Sequence, residues 1–337
     1  MNLVARPWIV AVFLGLLALP ALAYAGMTPE EVVAFKGHKA KAEQGDASAQ
    51  NSLGVCYDEG EGVAKDEVEA VKWFHKSAEQ GHAKAQYNLG NRYHMGVGVA
   101  QDFVKSLSWY RKAAEQGHAQ AQSNLGYCYE KGEGVPQDFE QALSWFRKAA
   151  EQGYFLGQYN VGNSYYVGQG ISRDFVEAAT WYRKAAQQGY AQAQFKLGNS
   201  YFNGEGVTRD FAKAAEWYHK AAEQGFTDAQ YNLGQCYRQG KGVEQDHSLA
   251  FRLYSMAAEQ GYAKAQTMIG NCYAEGIGTN KSKVSAYAYY SLAGETEQLA
   301  RLNLGILKQG MTEDEIFAGQ QRASELQTRI GSRKTGK

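Results

Sequence analysis

The sequence predicts an all-α solenoid, and three observations carry that prediction: a 36-residue period, glycines fixed within each period, and apolar residues spaced as on one helix face. The glycines at 45, 81, 117, 153, 189, 225 and 261 step by 36, and so do the series from 54 to 270, from 60 to 276 and from 62 to 278. Four positions in seven copies thus hold 28 of the 38 glycines. Length alone favours about two domains. The period replaces that prior, because a 36-residue helix pair cannot bury its apolar face alone whereas stacked copies share one continuous core.

In chain order, residues 1–25 read as a signal peptide. Arg6 supplies a positive start, Trp8 to Leu19 form an apolar run, and Ala21-Leu22-Ala23 and Ala23-Tyr24-Ala25 are small-x-small cleavage patterns. The run of twelve falls short of the about 20 residues that span a bilayer. No later segment is apolar enough, so the mature chain is expected to be exported, periplasmic or secreted, with no transmembrane segment. Residues 26–43 form an N-terminal capping helix, opened by Thr28-Pro29-Glu30-Glu31, which pairs a capping box with proline at the first helical position.

Residues 44–294 hold the seven repeats. In the copy that starts at Gln80, Ala85, Gln86, Leu89 and Tyr93 share a face of a first helix, A, from roughly Ala83 to His94, which stops near Gly96-Val97-Gly98. Asp102 has N-cap chemistry for a second helix, B, running through Trp109 to Glu115, and Gly117 ends it. Asp66, Asp138, Asp174, Asp210 and Asp246 repeat the cap, with Ser282 in the last copy. The Gly54 to Gly270 series lies inside helix A, where glycine costs about 1 kcal/mol against alanine. Close approach of an Ala or Trp from helix B explains it, and Gly162→Val should destabilise the array. The Trp73 to Trp217 series and the Tyr57 to Tyr273 series are assigned to the core. Residues 295–330 are a degenerate repeat and C-terminal capping helix: Glu297 replaces a glycine, Leu304-Gly305 comes one residue early, and Thr312-Glu313-Asp314-Glu315 opens a helix through about Arg329. Residues 331–337 are a flexible tail.

The segment EQGHAQAQSNLGYCYEKGEGVPQDFEQALSWF, starting at Glu115, resembles the SEL-one-like repeat (SLR) family, relatives of tetratricopeptide repeats. The resemblance covers about residues 44–294. It implies a right-handed superhelix with first helices lining the concave face, and work as an adaptor between proteins, with bacterial members often exported and linked to envelope assembly or host contact. Some members have been described as β-lactamases, which implies an envelope hydrolase as an alternative. No serine of the mature chain has lysine three positions on, so the S-x-x-K signature is missing.

Little else points to chemistry. Lys+Arg and Asp+Glu both number 35, so no basic surplus exists for nucleic acid. The seven histidines include no H-x-H or H-x-x-x-H pair, so neither metal nor cofactor is expected. The repeated aspartates serve as caps rather than as acid and base, and the chain is read as no enzyme. Cys56, Cys128, Cys236 and Cys272 occupy one repeat position. Neighbouring copies place them about 8–10 Å apart, too far for a disulfide, so free thiols are expected. Cysteine-rich members of the resembled family bridge two cysteines within one repeat, and no copy here has two.

Binding is expected where the repeat leaves helix A free. One position carries Tyr87, Tyr159, Phe195 and Tyr231; the next carries Asn91, Tyr127, Asn163, Asn199 and Gln235; a third carries Tyr166, Phe202 and Arg238. Amides can hold an extended backbone at donor and acceptor, and flat rings receive side chains. The rings in the Tyr87 series serve equally well as packing between copies. The Asn91 and His94 positions have no packing duty in this reading, and repeats four and five, where Tyr166 and Phe202 flank Asn163 and Asn199, are the richest. The expected function is an exported scaffold that binds a protein or extended peptide on the concave helix A surface; the remaining alternative is a structural spacer that contacts partners through its ends.

Overall fold

The computed structural model describes residues 27–334, and the expected signal peptide lies outside them. Among the described residues there are seventeen α-helices and no strand. None of these helices is long and apolar enough to cross a membrane. Helix α1 is Pro29–Glu43, and its Thr28/Glu31 capping box forms with both reciprocal bonds. The A helices are α2 (Ala47–Glu59), α4 (Ala83–Met95), α6 (Ala119–Lys131), α8 (Phe155–Val167), α10 (Ala191–Asn203), α12 (Thr227–Gln239) and α14 (Ala263–Glu275). The B helices are α3 (Glu67–Glu79), α5 (Phe103–Glu115), α7 (Phe139–Glu151), α9 (Phe175–Gln187), α11 (Phe211–Glu223), α13 (His247–Glu259) and α15 (Lys283–Ala293). Two further helices, α16 (Gln298–Lys308) and α17 (Glu313–Lys334), close the chain. The last runs past the end expected near Arg329.

The repeated residues end these helices as their chemistry requires. Asp66, Asp102, Asp138, Asp174, Asp210, Asp246 and Ser282 each accept from amides in the first turn of a B helix. Those amides hold the Asp102 and Asp210 carboxyls below the usual aspartate range. The A helices are capped differently: Asp46 caps α2, while the Nδ1 atoms of His82 and His118 accept from Ala85 and Ala121, each at 3.3 Å.

The glycine inside helix A marks a close approach of helix B. A Cβ on Gly162 would lie 2.7 Å from Cδ1 of Tyr182, and one on Gly198 the same distance from Tyr218. The covering ring is the residue after the tryptophan position, which holds Leu253 and Tyr289 in the last two copies: Phe74, Tyr110, Phe146, Tyr182, Tyr218, Tyr254 and Tyr290. This corrects the expected tryptophan, while the expected alanine is present at four of the glycines, where the carbonyl oxygens of Ala70, Ala142, Ala178 and Ala214 would lie 3.0–3.4 Å from the Cβ. Among the five tryptophans of the repeats, Trp73 is buried and Trp109, Trp145, Trp181 and Trp217 are half-buried. A lysine three residues on lies 3.7–4.2 Å above each of the five rings. The tyrosines of the Tyr57 series, placed in the core by sequence, are half-buried as well, apart from the buried Tyr93.

A second spine is polar. Buried Gln86 donates from Nε2 to the carbonyl of Ala78 at 3.1 Å and accepts from Gln116 at 2.7 Å. Gln122, Gln194, Gln230 and Gln266 give the same side-chain donation to Ala114, Ala186, Ala222 and Ala258. Leaving such a buried amide unpaired costs about 1–3 kcal/mol, so one partner in each hairpin locks the register of the next.

The chain divides into two compact units. One holds residues up to Asn160 with Gln169–Ile171, and the other Val161–Gly168 with Ser172 onward. Within each, helices pack in chain order, A on B and B on the following A, around alanine, leucine and the covering rings. The result is an all-α solenoid of helix hairpins.

Candidate functional site

The helix A stripe is more occupied than sequence suggests. Asn91 Oδ1 accepts from the Tyr110 hydroxyl at 2.7 Å and from Asn124 at 3.2 Å. Asn199 Oδ1 accepts from Tyr218 at 2.7 Å and Asn232 at 3.3 Å, Asn163 from Tyr182 at 2.8 Å, and Asn271 from Tyr290 at 2.7 Å. The amide therefore satisfies the hydroxyl of the ring that covers the glycine before it. Where the ring is phenylalanine, at Phe74 and Phe146, the amide position holds Val55 and Tyr127 instead. The expectation that this position lacks a packing duty is corrected: the oxygen serves the fold, and only the amino group remains for a partner.

The third position packs too. Tyr166 lies 5.3 Å from Phe175 and Phe202 5.1 Å from Phe211, ring centre to ring centre, each against the first residue of its own B helix. Burial and nearby Glu205 push the Tyr166 hydroxyl up from its ordinary value. In the first repeat the equivalent Asp58 pairs with Arg92 at 2.6 Å. At the remaining position, Tyr87 stacks on His118 at 4.9 Å, Phe195 lies 5.2 Å from Phe226, and Tyr231 lies 5.4 Å from Tyr262. Tyr159 is half-buried. Tyr127 is the exposed exception, 40% accessible, with Lys131 over its ring.

Repeats five and six bring five of the candidates together. Asn199, Phe202, Tyr231, Gln235 and Arg238 line one open cleft of about 480 Å³, with Asn203, Tyr218, Asn232, Gln239 and Lys241. Helices α10 and α12 supply most of this lining, because successive A helices place equivalent side chains side by side. The cleft lies one repeat beyond the pair favoured by sequence; Asn163 and Tyr166 do not line it. Its chemistry is distinctive: two cations, aromatic faces, amides, and no carboxylate in its lining. Lys241 stands 5.5 Å over the Phe202 ring.

Repeat six also breaks the hydroxyl pattern. Gln235 is one methylene longer than asparagine and turns away from the covering ring, donating to the Tyr231 hydroxyl at 2.9 Å and accepting from Arg238 Nε at 3.2 Å. The Tyr254 hydroxyl is left buried with no hydrogen-bond partner among the described residues. Sequence could have flagged this repeat, since Gln235 is the single glutamine in its series.

Elsewhere the chemistry is quiet. The four cysteines are buried free thiols, and burial pushes Cys128 up to about 12 and Cys236 and Cys272 to about 11, which suppresses their nucleophilic form. Among the described residues, no group of three or more His, Cys, Asp or Glu side chains is arranged to hold a metal ion.

Hairpins of this length, with glycine under a ring and a polar spine between copies, define a repeat solenoid. The Sel1 repeat matches residues 47–82, 83–118, 119–154, 156–190, 191–226, 227–262 and 263–295, and the chain belongs to the Sel1 repeat family. A Sel1 repeat protein from Oxalobacter formigenes is 36% identical, over 81% of this chain and 79% of its own, with a TM-score of 0.67. The c5321 protein, a protective antigen present in uropathogenic Escherichia coli strains and displaying an SLR fold, is 30% identical over 88% of this chain and 79% of its own, with a TM-score of 0.54. Among curated proteins, none matches the chain.

Proposed function

We propose that the chain is an exported protein-interaction scaffold that holds an extended, acidic segment of a partner protein in the cleft of repeats five and six. Membership of the Sel1 repeat family, whose members are typically scaffolds between proteins, supports the first part. The composition of the cleft supports the second. Arg238 and Lys241 offer charge to carboxylates, Asn203 and Gln239 offer donors and acceptors to a peptide backbone, and Phe202 and Tyr231 offer apolar faces. Export rests on the leader read in residues 1–25.

The carrying observation is the juxtaposition of two cations with no carboxylate in the lining of an open cleft of about 480 Å³. The test is affinity capture from envelope extract by the chain from Gly26, beside an Arg238→Glu/Gln239→Ala variant shown by circular dichroism to be folded. A protein retained by the wild type and lost by the variant is the expected result. Equal retention by both would move the binding surface elsewhere. The leader is tested separately by the mass of the protein recovered from the envelope, which should begin at Tyr24 or Gly26.

A further inference from the structure

Helix α16 is built as an A helix, yet no helix among the described residues closes it. Its Gly305-Ile306 occupies the place of Gly270-Asn271 in α14, and Asn303 donates to Asn271 as Asn232 does to Asn199. In all seven repeats the equivalent glycine is buried under an aromatic ring of helix B. Gly305 is exposed, and a Cβ there would meet nothing within 4 Å. Beside it Leu299, Leu302 and Ile306 are 55%, 59% and 60% accessible, at the three-and-four spacing that makes one helical stripe. The next helix, α17, does not cover them. It packs on α15, where Gly319 comes against Tyr287, and its end reaches back to Glu259 through Arg329 at 3.4 Å.

We propose that this face of α16 docks one amphipathic helix of a partner protein, which supplies the helix B that the chain itself omits. The face continues the same stacking interface that is closed seven times within the chain, so the internal B helices specify the occupant. Each has a small residue four before the covering ring and another four after it, as in Ala142, Phe146 and Ala150. The ring can be specified further. Amides in the Asn91 series accompany tyrosine, and Val55 and Tyr127 accompany phenylalanine. Ile306 offers no acceptor, so phenylalanine is the preferred partner ring; a tyrosine hydroxyl buried there would lack a partner, as that of Tyr254 does among the described residues.

The probe is a fluorescein-labelled, acetylated and amidated peptide of residues 139–151, FEQALSWFRKAAE, titrated with the full mature chain and followed by anisotropy. Saturable binding is expected. Gly305→Leu in the protein, which fills open space and so folds, should weaken it by about tenfold or more, as should Phe146→Ala in the peptide. Phe146→Tyr should bind more weakly than the parent peptide, and Arg238→Glu in the cleft should leave binding unchanged. Absence of saturation at about 1 mM, or equal binding to Gly305→Leu, overturns the proposal; the latter would mean that the peptide exchanges with an internal helix. A chain that sediments as a dimer, and as a monomer once Gly305→Leu is introduced, assigns the face to a second copy and overturns it as well.

Discussion

Helices α10 and α16 share a design and differ in what covers them. In α10 the ring of Tyr218 lies on Gly198 and its hydroxyl is taken by Asn199. In α16 the glycine is bare, and isoleucine stands where the amide would be. The glycine in this repeat is therefore a contact device rather than a conformational one, since it sits in ordinary helix and is needed only where a ring presses on it. Asparagine at the next position follows the same logic, taking the hydroxyls of Tyr110, Tyr182, Tyr218 and Tyr290, whereas Gln235 leaves that of Tyr254 unpaired among the described residues.

The largest effect that could break this contrast is steric. Gly198→Val should cost about 3 kcal/mol or more, because its side chain would collide with a buried ring, whereas Gly305→Ala should be neutral or stabilising by up to about 1 kcal/mol. Thermal unfolding of the two variants checks this, and equal losses would end the distinction. Next comes the amide. Asn199→Val should cost about 1–3 kcal/mol by stranding the Tyr218 hydroxyl. Adding Tyr218→Phe, which reproduces the Val55/Phe74 pairing, should recover most of that loss in a denaturant double-mutant cycle. Ile306→Asn at the uncovered end should change little.

Caps give a smaller contrast of opposite sign. Asp174→Ala should lose about 1 kcal/mol. Glu297, whose side chain does not cap α16, should gain stability on replacement by aspartate. The smallest effect is a pH dependence confined to the early repeats. Burial lowers the His82 and His118 pKa from the ordinary 6.5, and both act as caps only when neutral, through Nδ1. Folding thus favours the neutral ring: its contribution is complete above pH 6.5 and is lost as pH falls below that value toward the folded-state pKa. Melting temperature measured from pH 7.5 down to 5 should fall in the wild type and fall less in a His82→Asp/His118→Asp variant.

The hairpins, their aspartate caps and the glycine contact were legible in the sequence because each recurs at a fixed step. The identity of the covering residue was not. Trp217 and Tyr218 are adjacent, and a turn of 100° per residue leaves either able to face helix A until the packing is seen. The amides were misread for a related reason: considered on helix A alone they look unassigned, and their purpose emerges only when Asn91, Asn163, Asn199 and Asn271 are set against Tyr110, Tyr182, Tyr218 and Tyr290. The cleft was half legible, since Asn199, Phe202, Tyr231, Gln235 and Arg238 were singled out, but its lysine comes from a loop outside helix A. Where α17 packs could not be read at all, because it leaves the period that made everything else readable.

Native-state hydrogen exchange, followed by mass spectrometry on the intact chain, tests the central claim most directly: that a B helix closes each repeat and none closes α16. Amides in α10 should exchange slowly and those in α16 markedly faster, with α16 slowing when the 139–151 peptide is added. Protection in α16 equal to that in α10, in the chain alone and at a concentration where it is monomeric, would contradict the account.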